Sequence, residues 1–139
     1  MKLISIVIAS TTLLCTATLY AAETKITFDG RYEYRTDTEN LEMLGKQVCF
    51  FPSKPSSQNV PRPAGDHRIP WFCFTNSKQA ALLFGFDFNA STHECGFKGH
   101  ATITVSGYRR YKGEGDDNDV ATLDAVLEKS KPDSLPCTR

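Results

Sequence analysis

A small, mainly β domain stapled by disulfides is the fold this sequence predicts, on three observations. Short runs rich in β-branched and aromatic residues recur between turn-forming segments, the clearest being residues 101–111 (ATITVSGYRRY). Pro52, Pro55, Pro61, Pro63 and Pro70, with Gly65, make residues 53–70 a long loop, neither strand nor helix. Beyond residue 22 stand four cysteines, Cys49, Cys73, Cys95 and Cys137, widely spaced and without a Cys-x-x-Cys pair. An even number in a small exported domain reads as two disulfides, with three connectivities open.

Export is read from the first 22 residues. Met1 and Lys2 form a positive start, residues 3–19 are apolar or small without one charge, and Tyr20-Ala21-Ala22 precedes the polar chain from Glu23. That is the pattern of a cleavable secretory signal. The run is interspersed with Ser and Thr and ends at Ala-Ala, unlike a retained transmembrane anchor. Cys15 follows Leu14, where a lipoprotein signal would carry a small residue. Residues 23–139 then form one domain, large enough to bury roughly two-thirds of its unfolded surface. The chain has 16 basic and 16 acidic residues and Lys2 is the only charge in the signal, so the mature net charge is near −1. Such a balance exerts no strong pull toward nucleic acid or anionic membrane. The expected location is periplasmic or secreted, with no stable membrane insertion after cleavage.

The elements follow in order. Residues 26–35 (ITFDGRYEYR) alternate apolar and polar, a first strand with a bulge expected at Gly30. Residues 36–45 are polar and acidic, a loop. Residues 47–51 (QVCFF) form a second strand stopped by Pro52, and residues 71–75 (WFCFT) a third. Asn76 or Ser77 offers an N-cap for a short helix over residues 78–84 that Gly85 ends. Residues 86–99 read as a connector, residues 101–111 as a fourth strand, residues 112–119 as a Gly- and Asp-rich turn, and residues 120–127 (VATLDAVL) as a fifth strand. The tail is polar and carries Cys137.

Five strands with one short helix between the third and fourth is the element order of the OB-fold, which this chain resembles over residues 23–139 by order and pattern, without a diagnostic motif. A small β-sandwich or an α+β sheet is the alternative. The resemblance implies that strands two and three are antiparallel neighbours, which pairs Cys49 with Cys73. It also brings the start of strand four near the end of strand five, which pairs Cys95 with Cys137. Each bridge is worth roughly 3 to 4 kcal/mol in the chain-entropy model.

Chemistry-bearing residues are sparse, and an enzyme is not expected. No Gly-x-Ser-x-Gly elbow occurs. His67, His93 and His100 stand apart, and adjacent His93, Glu94 and Cys95 point in different directions on an extended chain, so neither a metal nor another cofactor is expected. The turn holding Glu114, Asp116, Asp117 and Asp119 suggests calcium, but an EF-hand begun at Asp117 would put Thr122 where Gly is needed and Ala121 and Leu123 at ligand positions. A solvated or protein-contacting acidic loop is the remaining reading. Arg109, Arg110, Tyr111 and Lys112 precede it, yet the acids beside them and the export signal argue against nucleic acid.

The aromatic strands hold the last signal. If Cys49 and Cys73 share a face, Phe51 and Trp71 lie on it, while Phe50, Phe72 and Phe74 lie on the other. One set lines the core; the other is covered by the loop of residues 53–70 or forms a binding patch. The expected function is an exported binding protein that recognises a protein partner, similar in size, export and disulfide use to inhibitors and immunity proteins acting on secreted or envelope enzymes. Its contact residues are taken as Arg109, Arg110, Glu114, Asp116, Asp117, Asp119 and Trp71, with the acids steering toward a basic partner. The alternatives are a small-ligand or glycan module stacking on Trp71 and Phe51, and an envelope structural or stress protein.

Overall fold

The computed structural model describes residues 23–89, 94–113 and 118–137. The expected signal, His93, and Glu114, Asp116 and Asp117 of the acidic turn lie outside these. Along the chain run β1 (Ile26–Arg35), α1 (Thr38–Leu44), β2 (Val48–Pro52), β3 (Phe72–Phe74), α2 (Ser77–Phe84), β4 (Glu94–Arg109), β5 (Asp119–Lys129) and β6 (Asp133–Pro136). The first five strands close into a ring, β1-β2-β3-β5-β4 and back to β1, with β6 added beside β4. All pairings are antiparallel except β3 with β5. The chain is therefore mainly β, with α2 between the third and fourth strands. The disulfides are Cys49–Cys73 and Cys95–Cys137, as the element order implied. No helix among the described residues is long and apolar enough to cross a membrane.

Alternation along β1 sends Phe28, Tyr32 and Tyr34 inward, where they meet Phe50, Phe72 and Phe74, the Ala80, Ala81 and Phe84 face of α2, and Ile103, Val105 and Leu123. Tyr32 stacks on Phe84 with ring centres 4.0 Å apart. Gly85, in the left-handed conformation at φ 93°, ends α2, and its N–H donates to the carbonyl of Ala81 at 2.9 Å. Asn76 prolongs the short β3–β5 pairing with its side chain. Its amide donates to the Leu123 carbonyl and its oxygen accepts from the Leu123 N–H, each at 2.9 Å.

Several local expectations are corrected. Residues 36–45 are not a plain loop: Asp37 caps α1 by accepting from the Asn40 N–H at 3.1 Å, and Gly45 closes it at φ 66°. The loop of residues 53–70 contains a 3-10 turn, Ser56–Asn59, whose Ser56 hydroxyl accepts from the Asp29 N–H at 2.8 Å. Gly30 carries no bulge; β1 pairs in register through it on both sides, and a Cβ there would lie 2.3 Å from the Phe51 carbonyl oxygen. The register shifts occur in β4 against β5 and β6. β4 begins at Glu94, so part of the expected connector is strand. Gly96 and Gly99 are there because a Cβ would meet the Tyr34 carbonyl oxygen at 1.9 Å and the Tyr32 hydroxyl at 2.4 Å.

Candidate functional site

The outer face of β1, β2 and β3 carries the residues that the core leaves out. Phe50, Phe72 and Phe74 line the core, and Phe51 and Trp71 stand half-buried on the opposite side, left partly open by the long loop. Their rings stack at 5.8 Å and 8°. The Arg31 guanidinium lies over Phe51 at 4.7 Å from the ring centre, directly across the β1–β2 pairing. Because β1 and β3 flank β2 on opposite sides, Arg31 and Trp71 occupy opposite faces of Phe51. The Trp71 indole N–H has no acceptor among the described residues.

Next to this ridge of Arg31, Phe51 and Trp71, Glu33 forms an ion pair with Arg31 at 3.1 Å and accepts from Arg35. The Glu33 bond holds the Arg35 guanidinium pKa above its ordinary value. Asn40 bonding holds Asp37 below the usual carboxylate range. A cleft of about 310 Å³, counting its mouth, opens between α1 and the strands, with Arg35, Asn40, Leu44, Gln47 and Phe51 among its walls. Gln47 also lines a second hollow, formed with residues 109–113, Asn118 and Val120. Residues 110–113 in turn wall a third, closed on its far side by residues 63–66 and Arg68. Neighbouring hollows share wall residues, Gln47 between the first and second and residues 110–113 between the second and third.

Asp119 does not belong with the surface acids. Its side chain is 1% exposed and accepts from Arg62 at 3.0 Å, the Tyr108 hydroxyl at 2.5 Å and the Tyr111 N–H at 2.8 Å. Burial, reinforced by the Asp119 bond, pushes the Tyr108 phenol well above its ordinary value. Asp66 lies beside this pair and is gripped by both ends of Arg68, at 3.0 and 2.8 Å, and by Arg110 at 3.4 Å. The Arg68 bonds, with help from Arg110, hold the Asp66 carboxyl far below the usual range. Of the other expected contact residues, Arg109 is exposed, and Arg110 is partly exposed within this cluster. Sequence reasoning missed Arg31, Arg62, Asp66 and Arg68. Strand alternation could have placed Arg31 beside Phe51, but nothing local pairs Arg62 with an acid 57 positions away. Among the described residues no three His, Cys, Asp or Glu side chains are placed to hold a metal. No family model, curated protein or solved structure matches the chain.

Proposed function

We propose that this is an exported, OB-like binding protein that recognises a protein partner through the outer face of β1–β3, in the manner of an inhibitor or immunity protein acting on a secreted or envelope enzyme. The ridge of Arg31, Phe51 and Trp71 carries the reading. Trp and Arg are the side chains that most often dominate binding energy at protein interfaces, and here they are held rigid by stacking before any partner arrives. Exposed Ile69, two residues before Trp71, and exposed Met43 on α1 add apolar surface of the kind interface cores favour. The element order supports the OB-like reading, and the segments after β1 and β4 line hollows that share Gln47, in the region where such modules take ligands.

A glycan module is the second reading, favoured by the half-buried indole of Trp71, whose N–H has no acceptor among the described residues. It has less surface to work with, because both faces of Phe51 are already covered and a sugar ring stacks on faces rather than edges. The two readings separate in one experiment. The full chain, exported and purified oxidised, is immobilised and incubated with envelope and secreted fractions, beside Arg31→Ala and Trp71→Ala variants and a glycan panel. A protein retained stoichiometrically by the parent and weakened about 30-fold or more by Trp71→Ala is the expected result. Retention of glycans alone would sink the protein-partner reading. Both substitutions lie outside the core, so unfolding midpoints within about 1 kcal/mol of the parent should accompany them.

A further inference from the structure

We infer that the hollow between residues 63–68 and 110–113 is a carboxylate-binding site, so that the partner brings an acidic segment to this face; this rests on the protein-partner reading above. The formal charges of the cluster nearly balance, but a ligand meets only what is exposed. The Asp66 and Asp119 side chains are 7% and 1% exposed, whereas Arg68 and Arg110 are 39% and 31% exposed above them. The acids anchor the guanidiniums from below, and the guanidinium rims face solvent. Arg110 gives only one long bond, 3.4 Å from Nη1 to Asp66, leaving Nε and Nη2 uncommitted among the described residues. Exposed Lys112 stands two residues on. The facing wall is low: it is made of Pro63, Ala64 and Gly65, and around Gly65 there is open space.

An uncommitted guanidinium edge with a second cation beside it suits the two oxygens of a carboxylate. The hollow shares residues 110–113 with a second hollow, which shares Gln47 with the cleft beside the aromatic ridge, so the two sites are neighbours on the surface. One partner can therefore fill both, placing an apolar anchor on the ridge and an acidic side chain at Arg110. A nucleic acid fits less well. Both faces of Phe51 are covered, so bases lack a stacking platform there. This reverses the charge expected of the partner from sequence alone, where the acids were read as the exposed groups.

The test is an NMR titration of the exported, nitrogen-15-labelled protein with a capped tetraglutamate peptide, with capped tetraglutamine and inorganic phosphate as controls at matched ionic strength. Saturable shifts of the Arg110 and Arg68 Nε–H signals with tetraglutamate alone are expected. Binding should weaken roughly threefold to tenfold in Arg110→Gln, with a smaller loss in Lys112→Gln, as befits partly exposed charge pairs. Because Lys112 is exposed, its variant keeps the test valid if Arg110→Gln perturbs the fold. Shifts that do not saturate, or that survive both substitutions unchanged, overturn the inference. Saturation by phosphate but not tetraglutamate would reassign the site to a phosphate-bearing ligand. A parent that stays silent while a Glu114→Gln/Asp116→Asn/Asp117→Asn variant binds would also overturn the inference, because the site would then be closed to a partner's carboxylate in the native chain. Partner capture that depends on Trp71 but not on Arg110 would defeat this inference and leave the protein-partner reading standing. Tetraglutamate binding without any captured protein would do the reverse.

Discussion

Tyr32 and Tyr34 are two residues apart on the same face of β1, both buried, and differ in one atom's surroundings. The Tyr34 hydroxyl donates to the Phe88 carbonyl at 2.8 Å, whereas the Tyr32 hydroxyl lies against Gly99 without a partner among the described residues. Burial, with Asp133 adding to it, pushes the Tyr32 phenol up to about 12; burial and then Asp87 raise Tyr34. A buried hydroxyl without a partner costs its desolvation, so its removal should cost nothing. Tyr32→Phe is therefore expected to leave stability within a few tenths of a kcal/mol of the parent, or to raise it, while Tyr34→Phe loses about 1 kcal/mol. Urea unfolding of the two variants measures this. Equal losses would mean that the Tyr32 hydroxyl has a partner after all.

At the scale of elements, glycine separates what the sequence makes legible from what it hides. Gly45 and Gly85 end helices at positive φ, a role visible from the sequence for Gly85, which follows a clear helical run. Gly45 has the same role, but α1 is short and exposed, and its signals, Asp37 before it and Leu41 and Leu44 within it, are outweighed by polar neighbours. Gly96 reads equally well as a loop residue, yet it sits inside β4. The reason is a contact with Tyr34, 62 positions away in the chain, and a local pattern cannot carry that. The two glycines should respond differently to a methyl group. Gly45→Ala meets open space, but at φ 66° and ψ −161°, a backbone conformation essentially confined to glycine, it should cost about 1 to 3 kcal/mol of backbone strain. Gly96→Ala drives a Cβ into the Tyr34 carbonyl oxygen at φ 143°, and should cost about 3 kcal/mol or more by splitting β1 from β4. Denaturation midpoints decide, and a mild Gly96→Ala would mean that β4 starts later than Glu94. The disulfides were legible because strand order implies them, and alternation separated Phe50, Phe72 and Phe74 from Phe51 and Trp71; which set turns inward was not, since that depends on where α2 and the other strands pack. The Arg62–Asp119 pairing was not, since it depends on where a proline-rich loop lands.

That landing is what joins the parts of the whole molecule. The loop of residues 53–70 is tied at its start by Ser53 to the Asp29 carbonyl and by Ser56 to the Asp29 N–H, each at 2.8 Å, and in its middle by Val60 in the core. Its second half is tied to the rest of the domain by two ion pairs, Arg62 to Asp119 and Asp66 to Arg110, while the Asp66–Arg68 pair and the bond from Arg62 to the Arg68 carbonyl brace it internally. The Asp66 pKa is lowered in the folded chain, mainly by Arg68, so its contribution to stability is fully present above the unfolded value of about 3.9 and is lost progressively as pH falls from there toward the lower folded value. The second half of the loop should accordingly stay docked through mild acid, as suits a binding face that includes Arg68 and Arg110. Asp66→Asn removes this titration. The variant should be less stable than the parent at pH 7, and the gap should narrow as pH is lowered from about 4 toward 2, where the parent loses what the variant never had. Urea midpoints at a series of pH values, with the Arg110 Nε–H signal followed in parallel, measure the gap and the docking together. A gap that stays constant over that range would show that Asp66 contributes through shape and hydrogen bonding rather than charge. The loop would then be positioned by Arg62 and Asp119, and the exposed guanidiniums above it would lose their anchor as an explanation.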